Sequence, residues 1–109
     1  MSVQEHGRIN NVSVVCKANV YFDGKVISHT VLHPNGDKQT LGLIQPGEFR
    51  FGTELPERMD IIAGACRVRL ADADGWTTYG PGAVFHVPAH SHFDIAVDEG
   101  LCEYLCSFG

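Results

Sequence analysis

The chain has 109 residues, 44% of them hydrophobic and 19% charged, which is enough for one globular core and too little for two. Thirteen acidic and eight basic side chains leave a formal net charge of −5 with no Lys/Arg run, which excludes a nucleic-acid polymer as an expected partner. No apolar stretch approaches the roughly twenty residues of a membrane-crossing helix, so no membrane is expected as a partner either.

The N-terminus, MSVQEHGRINNVSVVCKANV, lacks the basic start, apolar block and small-residue cleavage site of a secretory signal. The expected address is therefore cytoplasmic, and Cys16, Cys66, Cys102 and Cys106 are expected as reduced thiols. Cys102 and Cys106 are spaced C-x3-C with no second pair to answer them, which argues against structural zinc. From there on the sequence reads as short strands. In order they are SVVCKANVYF, KVISHTVLH, KQTLGLI, EFRFGT, MDIIAGACRVRL, WTTYG, AVFHVPA, FDIAV and CEYLCSFG. Turn residues separate them at HPNGDK, QPGE, DADG and GPG, and no dozen residues hold a helical period without a breaker. Many short strands at close spacing predict an all-β sandwich, jelly roll or small barrel.

Alternation assigns the faces. Phe49, Phe51 and Thr53 share one side of their strand, and Glu48, Arg50 and Gly52 the other. Glu57, Met59, Ile61 and Ala63 share a face opposite Arg58, Asp60 and Ile62. Beyond Gly64, Cys66, Val68 and Leu70 point inward and Arg67 and Arg69 outward. Phe85 and Val87 oppose His86; Ser91, Phe93, Ile95 and Val97 oppose His92 and Asp94.

The segment PGAVFHVPAHSHFDIAV carries three histidines in seven residues, His86, His90 and His92. A metal ion needs its ligands to converge. Parity sends His86 and His92 away from the core, whereas His90, in the turn after Pro88, is free to reach a pocket mouth. No metal is expected.

PGEFRFGTELPERMDIIAGACRVRL, followed by YGPGAVFHVPAHSHFDI, resembles the two motifs of a cupin, with Glu57 seven residues before Gly64. More closely, the chain resembles the small bacterial single-domain cupins known as pyrimidine/purine nucleoside phosphorylases. The resemblance rests on NVYFDGKV, on Phe51, Thr53, Pro56, Glu57 and Met59, on Pro81 to Pro88, on His90 to Phe93, and on YLC near the C-terminus. It covers roughly residues 19–108. It implies a cupin-like β-barrel, or jelly roll, of about ten short strands over residues 19–109, preceded by an N-terminal extension, residues 1–18, of unassigned structure. It also sharpens the metal question. Metal-binding cupins place two histidines before the motif glutamate and one in the second motif. Here Arg50, Phe51, Gly52 and Thr53 stand in the first place and Ser91 in the second, so only Glu57 is left as a ligand.

The resemblance implies phosphorolysis of purine and pyrimidine nucleosides, with phosphate as co-substrate and no cofactor, giving free base and ribose 1-phosphate. Glu57 and His90 are the expected catalytic residues. Glu57 would hold ribose hydroxyls or stabilise the cationic sugar; His90 and Ser91, with main-chain N–H groups of the turn, would bind phosphate or the departing base. Phe49, Phe51, Thr53, Met59, Phe85, Ser91, Phe93 and Tyr104 are the expected substrate-binding set. Competing readings are that the aromatics are simply core, and that Glu57 caps a turn or pairs with Arg58. No cation for the phosphate emerges: Arg50, Arg67 and Arg69 point outward, and Arg58 and Lys25 stay open. A non-catalytic small-molecule-binding cupin and a metal-dependent oxygenase or isomerase are the other functional classes. A homodimer is expected through outward apolar residues such as Ile62 and Val84, the alternative being a solvated sheet face.

Overall fold

Eleven strands and one short 3-10 turn account for the ordered structure of residues 7–109, the part of the chain described by this computed structural model. The first six residues of the N-terminal extension lie outside the described residues. The strands are β1 (Ser13–Val14), β2 (Asn19–Tyr21), β3 (Val26–Leu32), β4 (Lys38–Ile44), β5 (Gly47–Gly52), β6 (Glu57–Ala63), β7 (Cys66–Leu70), β8 (Thr77–Tyr79), β9 (Val84–Val87), β10 (His92–Val97) and β11 (Cys102–Phe108). A seven-stranded sheet runs β1-β3-β4-β11-β6-β9, with β2 also on β3; a four-stranded sheet runs β5-β10-β7-β8. All pairings are antiparallel. From β4 onward the chain alternates between the sheets, except for the β7–β8 hairpin. The expected jelly roll is therefore present as a two-sheet sandwich, with eleven strands where about ten were expected.

Register builds the core. Phe93 sits between Phe51 and Leu70, and Ile95 between Phe49 and Val68, so three strands present one apolar face. The facing sheet answers with the pairs Met59–Phe85, Ile61–Tyr104 and Val26–Ile44. Ile44, Ile61 and Ile95 are almost fully buried. SVVCKANVYF does not stay one strand: it breaks into β1 and β2, and Phe22 and Asp23 then turn the chain with φ of 52° and 56°. HPNGDK forms the β3–β4 hairpin. Gly36 takes φ 95° and donates to His33, and the Asp37 N–H is bound by the Asn35 side chain.

Two glycines allow close approach. Gly64, between β6 and β7, has φ 75°, and a Cβ there would lie 2.0 Å from the Leu101 carbonyl oxygen. Gly42 on β4 lies under the Tyr104 ring, and a Cβ there would stand 2.7 Å from it.

The outer face of the small sheet is ionic, as the parity of Arg50, Arg67 and Arg69 predicts. Arg50 Nε donates to Asp94 Oδ1 at 2.8 Å, and Arg69 donates to Asp94 Oδ2 at 3.1 Å. Arg67 and Arg69 also lie over the Trp76 ring. The hydrogen bond from Arg50 leads in holding the Asp94 carboxyl down to about 2; burial opposes it and Arg69 reinforces it. Because the folded value is depressed, this stabilisation is complete above the ordinary carboxylate range and is lost as pH falls towards 2. Asp94→Asn should cost about 1–2 kcal/mol at neutral pH, a value discounted for the solvent-exposed arginines. Denaturant unfolding at pH 7 and at pH 2.5 checks this: the gap between wild type and variant should narrow at the lower pH.

The outer face of the large sheet differs. Leu41 and Leu43 are 45% and 40% exposed, and Leu41 pairs with the fully buried Leu105. Ile27, Ile62 and Val84 add half-buried apolar surface to the same face.

Candidate functional site

Between the sheets, towards the end where β4 begins and β5 ends, lies a cavity of about 700 Å³. Its two walls differ because the two sheets present different side chains on the same inward parity. β5 and β10 contribute Phe51, Phe93 and Ile95. Phe51 stacks on Phe93 with centroids 5.8 Å apart, and meets Tyr21 and Phe22 edge-on at 5.9 and 5.4 Å. This wall is an aromatic cradle, completed by the turn that follows β2.

The opposite wall is polar. Ser28 and Thr30 on β3, and Thr40 on β4, face the cavity. The Asn19 amide donates to Ser28 Oγ and Thr30 Oγ1, each at 3.2 Å. Glu57 opens β6 and is half-buried; Cys106 Sγ donates to its Oε1 at 3.5 Å. Tyr104 is buried above Gly42 and lines the same wall as Ser28. Lys38 stands at the start of β4 with Nζ 4.8 Å from the Phe108 ring centroid. Burial raises the Glu57 carboxyl above its ordinary range, with the Cys106 thiol opposing. Burial likewise raises the Cys106 thiol, with Glu57 adding to the shift, and raises the Tyr104 phenol. The thiol and the phenol are therefore protonated donors, and Glu57 is the acceptor among them.

Five of the ten expected site residues line this cavity: Glu57, Phe51, Met59, Phe93 and Tyr104. The other five lie elsewhere. Phe49 is buried behind the cradle against Phe22, and Phe85 packs into the core between Tyr79 and Phe93. Thr53 and Ser91 lock two loops together. Thr53 Oγ1 donates to the Pro88 carbonyl at 2.7 Å and accepts from the Ser91 N–H at 3.0 Å. His90 adopts φ 53° and its side chain is 81% exposed, 3.7 Å from Glu54. The turn geometry carries it outward, so it is not brought together with Glu57. His86 is exposed, and His92 stands opposite Gly52 on the outer face of the small sheet.

The reading of the sequence missed the polar wall. Asn19, Ser28, Thr30, Lys38, Thr40 and Cys106 share inward parity with Val26, Ile44 and Tyr104. The signal was present in VISHTVL and KQTLGLI, where serine, threonine and lysine occupy the same alternation as the buried aliphatics. As for a metal, the cavity wall carries two carboxylates, half-buried Glu57 and exposed Glu54, and the Cys106 thiol, and these do not converge as the three or four ligands of a transition metal do. Among the described residues no group of three or more His, Cys, Asp or Glu side chains converges elsewhere.

Comparison with known proteins bears on what such a cavity serves. A family model for pyrimidine/purine nucleoside phosphorylase matches residues 16–108. A pyrimidine/purine nucleoside phosphorylase from Cupriavidus necator is 56% identical over 104 residues, covering 95% of this chain and 98% of that protein. One from Burkholderia vietnamiensis is 54% identical over 101 residues, covering 93% and 94%. Among solved structures, a protein of unknown function from Acinetobacter sp. ADP1 superposes with a TM-score of 0.91 at 43% identity, covering 94% of this chain and 98% of that one. Oxalate decarboxylase from Bacillus subtilis superposes at 0.72 with 20% identity, covering 94% of this chain and 30% of that one, a likeness of cupin fold alone.

Proposed function

The chain belongs to the pyrimidine/purine nucleoside phosphorylase family, and from that premise we infer that its inter-sheet cavity binds a nucleoside and breaks the glycosidic bond with inorganic phosphate. The observation that carries this is the division of the cavity into an aromatic wall and a polar one. A flat heteroaromatic base fits against Phe51 and Phe93, and a ribose fits against hydroxyls and a carboxylate. A cavity of about 700 Å³ lies within the ordinary range for a small-molecule site.

In the proposed reaction a phosphate oxygen attacks the anomeric carbon while the C–N bond breaks. The electron pair leaves with the base, which gains a proton, and ribose 1-phosphate remains. The transition state resembles an oxocarbenium ion. Glu57 supplies negative charge beside that cation and accepts from ribose hydroxyls. Tyr104 and Cys106 hold protons that fix the orientation of the carboxylate and sugar. No metal is assigned, because Glu57 and Cys106 do not make a ligand set.

Assembly as a homodimer is part of the same proposal, through the outer face of the large sheet. Support comes from exposed Leu41 and Leu43, with half-buried Ile27, Ile62 and Val84 on the same face, which put an apolar strip where a solvated sheet would alternate with polar residues. Cytoplasmic residence is supported by four cysteines that are all unpaired, and no helix is long and apolar enough to cross a membrane among the described residues.

The test is an assay of several nucleosides with and without phosphate, read by release of free base. Release that requires phosphate is expected. Ligand binding without release would make the protein a non-catalytic binding cupin, and a stoichiometric transition metal in untagged protein would revive the oxygenase class. Sedimentation of the same preparation should give a dimer, and a mass of 11.9 kDa would remove the interface.

A further inference from the structure

Resting on the phosphorolysis reading, we propose that Lys38, with the hydroxyls of Thr30 and Thr40, is the phosphate-binding end of the cavity. Two cations line the cavity, Lys38 and Arg50. Arg50 is committed to Asp94 through two hydrogen bonds, at 2.8 and 3.2 Å. Lys38 forms no ion pair among the described residues; its ammonium rests on the Phe108 ring. A cation on an aromatic face keeps its N–H donors free for an incoming anion. Among the described residues that line this cavity, it is the one positive charge without a carboxylate partner.

The strand register gives this charge its neighbours. Thr30 and Thr40 are direct cross-strand partners on β3 and β4. Lys38 is two residues from Thr40 and so shares its inward face. Thr30 Oγ1 already accepts from Asn19, which leaves its own O–H to donate. A lysine ammonium and two hydroxyls make a donor set for a phosphate's oxygens.

The register also sets the distance to Glu57. Ser107 pairs with Gln39 and Phe108 with Glu57, so Phe108 stands on the strand between Lys38 and Glu57. Two strand spacings put the backbones of Lys38 and Glu57 about 10 Å apart. The ring of Phe108 occupies that gap and keeps the ammonium and the carboxylate from neutralising each other. Phosphate at Lys38 and ribose at Glu57 would then meet over Thr40 and Cys106, and the base would lie across on Phe51 and Phe93. The three parts of the reaction thus occupy three distinct surfaces of one cavity.

The experiment compares wild type with Lys38→Met and Lys38→Arg. Methionine keeps the length and the contact with Phe108 while removing the charge. The KM for phosphate should rise about ten- to hundredfold in Lys38→Met, the size of a lost charge-assisted hydrogen bond. The KM for nucleoside and the melting temperature should stay near wild type, and Lys38→Arg should restore part of the phosphate affinity. An unchanged phosphate KM, or an equal rise in both KM values, overturns the assignment while leaving the phosphorylase reading intact. If wild type itself shows no phosphate-dependent release, the phosphorylase reading fails, and titration of inorganic phosphate followed by phosphorus NMR decides the site separately. Binding by wild type that is lost in Lys38→Met sustains it; no binding, or equal binding by both proteins, overturns it.

Discussion

Glu57→Gln should lower kcat/KM for phosphorolysis by about a hundredfold or more while leaving the protein folded. The amide keeps the shape of the side chain and still offers a carbonyl oxygen to the Cys106 thiol, which approaches Glu57 Oε1 at 3.5 Å. What it removes is the negative charge beside the developing sugar cation. The same change should not cost stability. Burial raises the Glu57 carboxyl, so the folded state binds its proton more tightly than the unfolded chain does. For a raised carboxyl, wild type is most stable below the ordinary carboxylate range and loses stability as pH rises through the folded value. The glutamine variant escapes that loss, so the stability difference should move in its favour with rising pH. Base-release kinetics together with thermal melts at pH 4 and pH 7 check both halves. A variant with wild-type turnover removes Glu57 from the chemistry. One that fails to fold makes it a structural residue. A gain of stability with a loss of rate is the signature of a charged group kept in a poor solvent for the sake of function.

Gly64→Ala should have the largest effect on stability. The residue sits at φ 75°, and a Cβ would be placed 2.0 Å from Leu101 O and 3.0 Å from its carbonyl carbon. Both neighbours are backbone, so neither can swing aside as a side-chain tip can. A strained φ and an unavoidable shift of the chain entering β11 together should cost about 3–5 kcal/mol, a large share of a small domain's total. Gly75→Ala is the control, since its Cβ would meet nothing within 4 Å and its backbone is not left-handed. Urea unfolding should leave Gly75→Ala near wild type and shift Gly64→Ala to a much lower midpoint, or prevent soluble accumulation. The functional reach of Gly64 is through register. It allows β6 to lie against β11, the pairing that sets Glu57 beside Cys106 and Tyr104.

How much of this was legible in the sequence depended on whether parity or a loop carried the residue. Phe51, Phe93, Met59 and Glu57 lie on regular strands, and alternation put them on the inner face where they stand. Alternation likewise sent Arg67, Arg69 and His86 outward. It does not separate cavity wall from core, because both lie between the sheets; Phe49 and Phe85 share the parity of Phe51 and Met59 yet are packed away from the opening. It fails where the backbone turns. His90 carries a left-handed φ that no pattern in AHSH announces, and the side chain expected to be catalytic stands in solvent. Thr53 shares the inward parity of Phe51, but its hydroxyl is taken up by the Pro88 carbonyl and the Ser91 N–H rather than by the cavity. The polar wall went unread because Ser28, Thr30 and Thr40 are good strand residues, and their hydroxyls gain meaning only once a second sheet is opposite.

Gly42 bears on how such a cavity changes over time. The tyrosine ring of Tyr104 is seated on bare backbone, because the neighbouring strand has no side chain at that point. The width available to a guest molecule is thus governed from a position that need never touch it. A lineage drifting towards smaller guests has a dial there, one that acts by moving Tyr104 and leaves Glu57 itself in place.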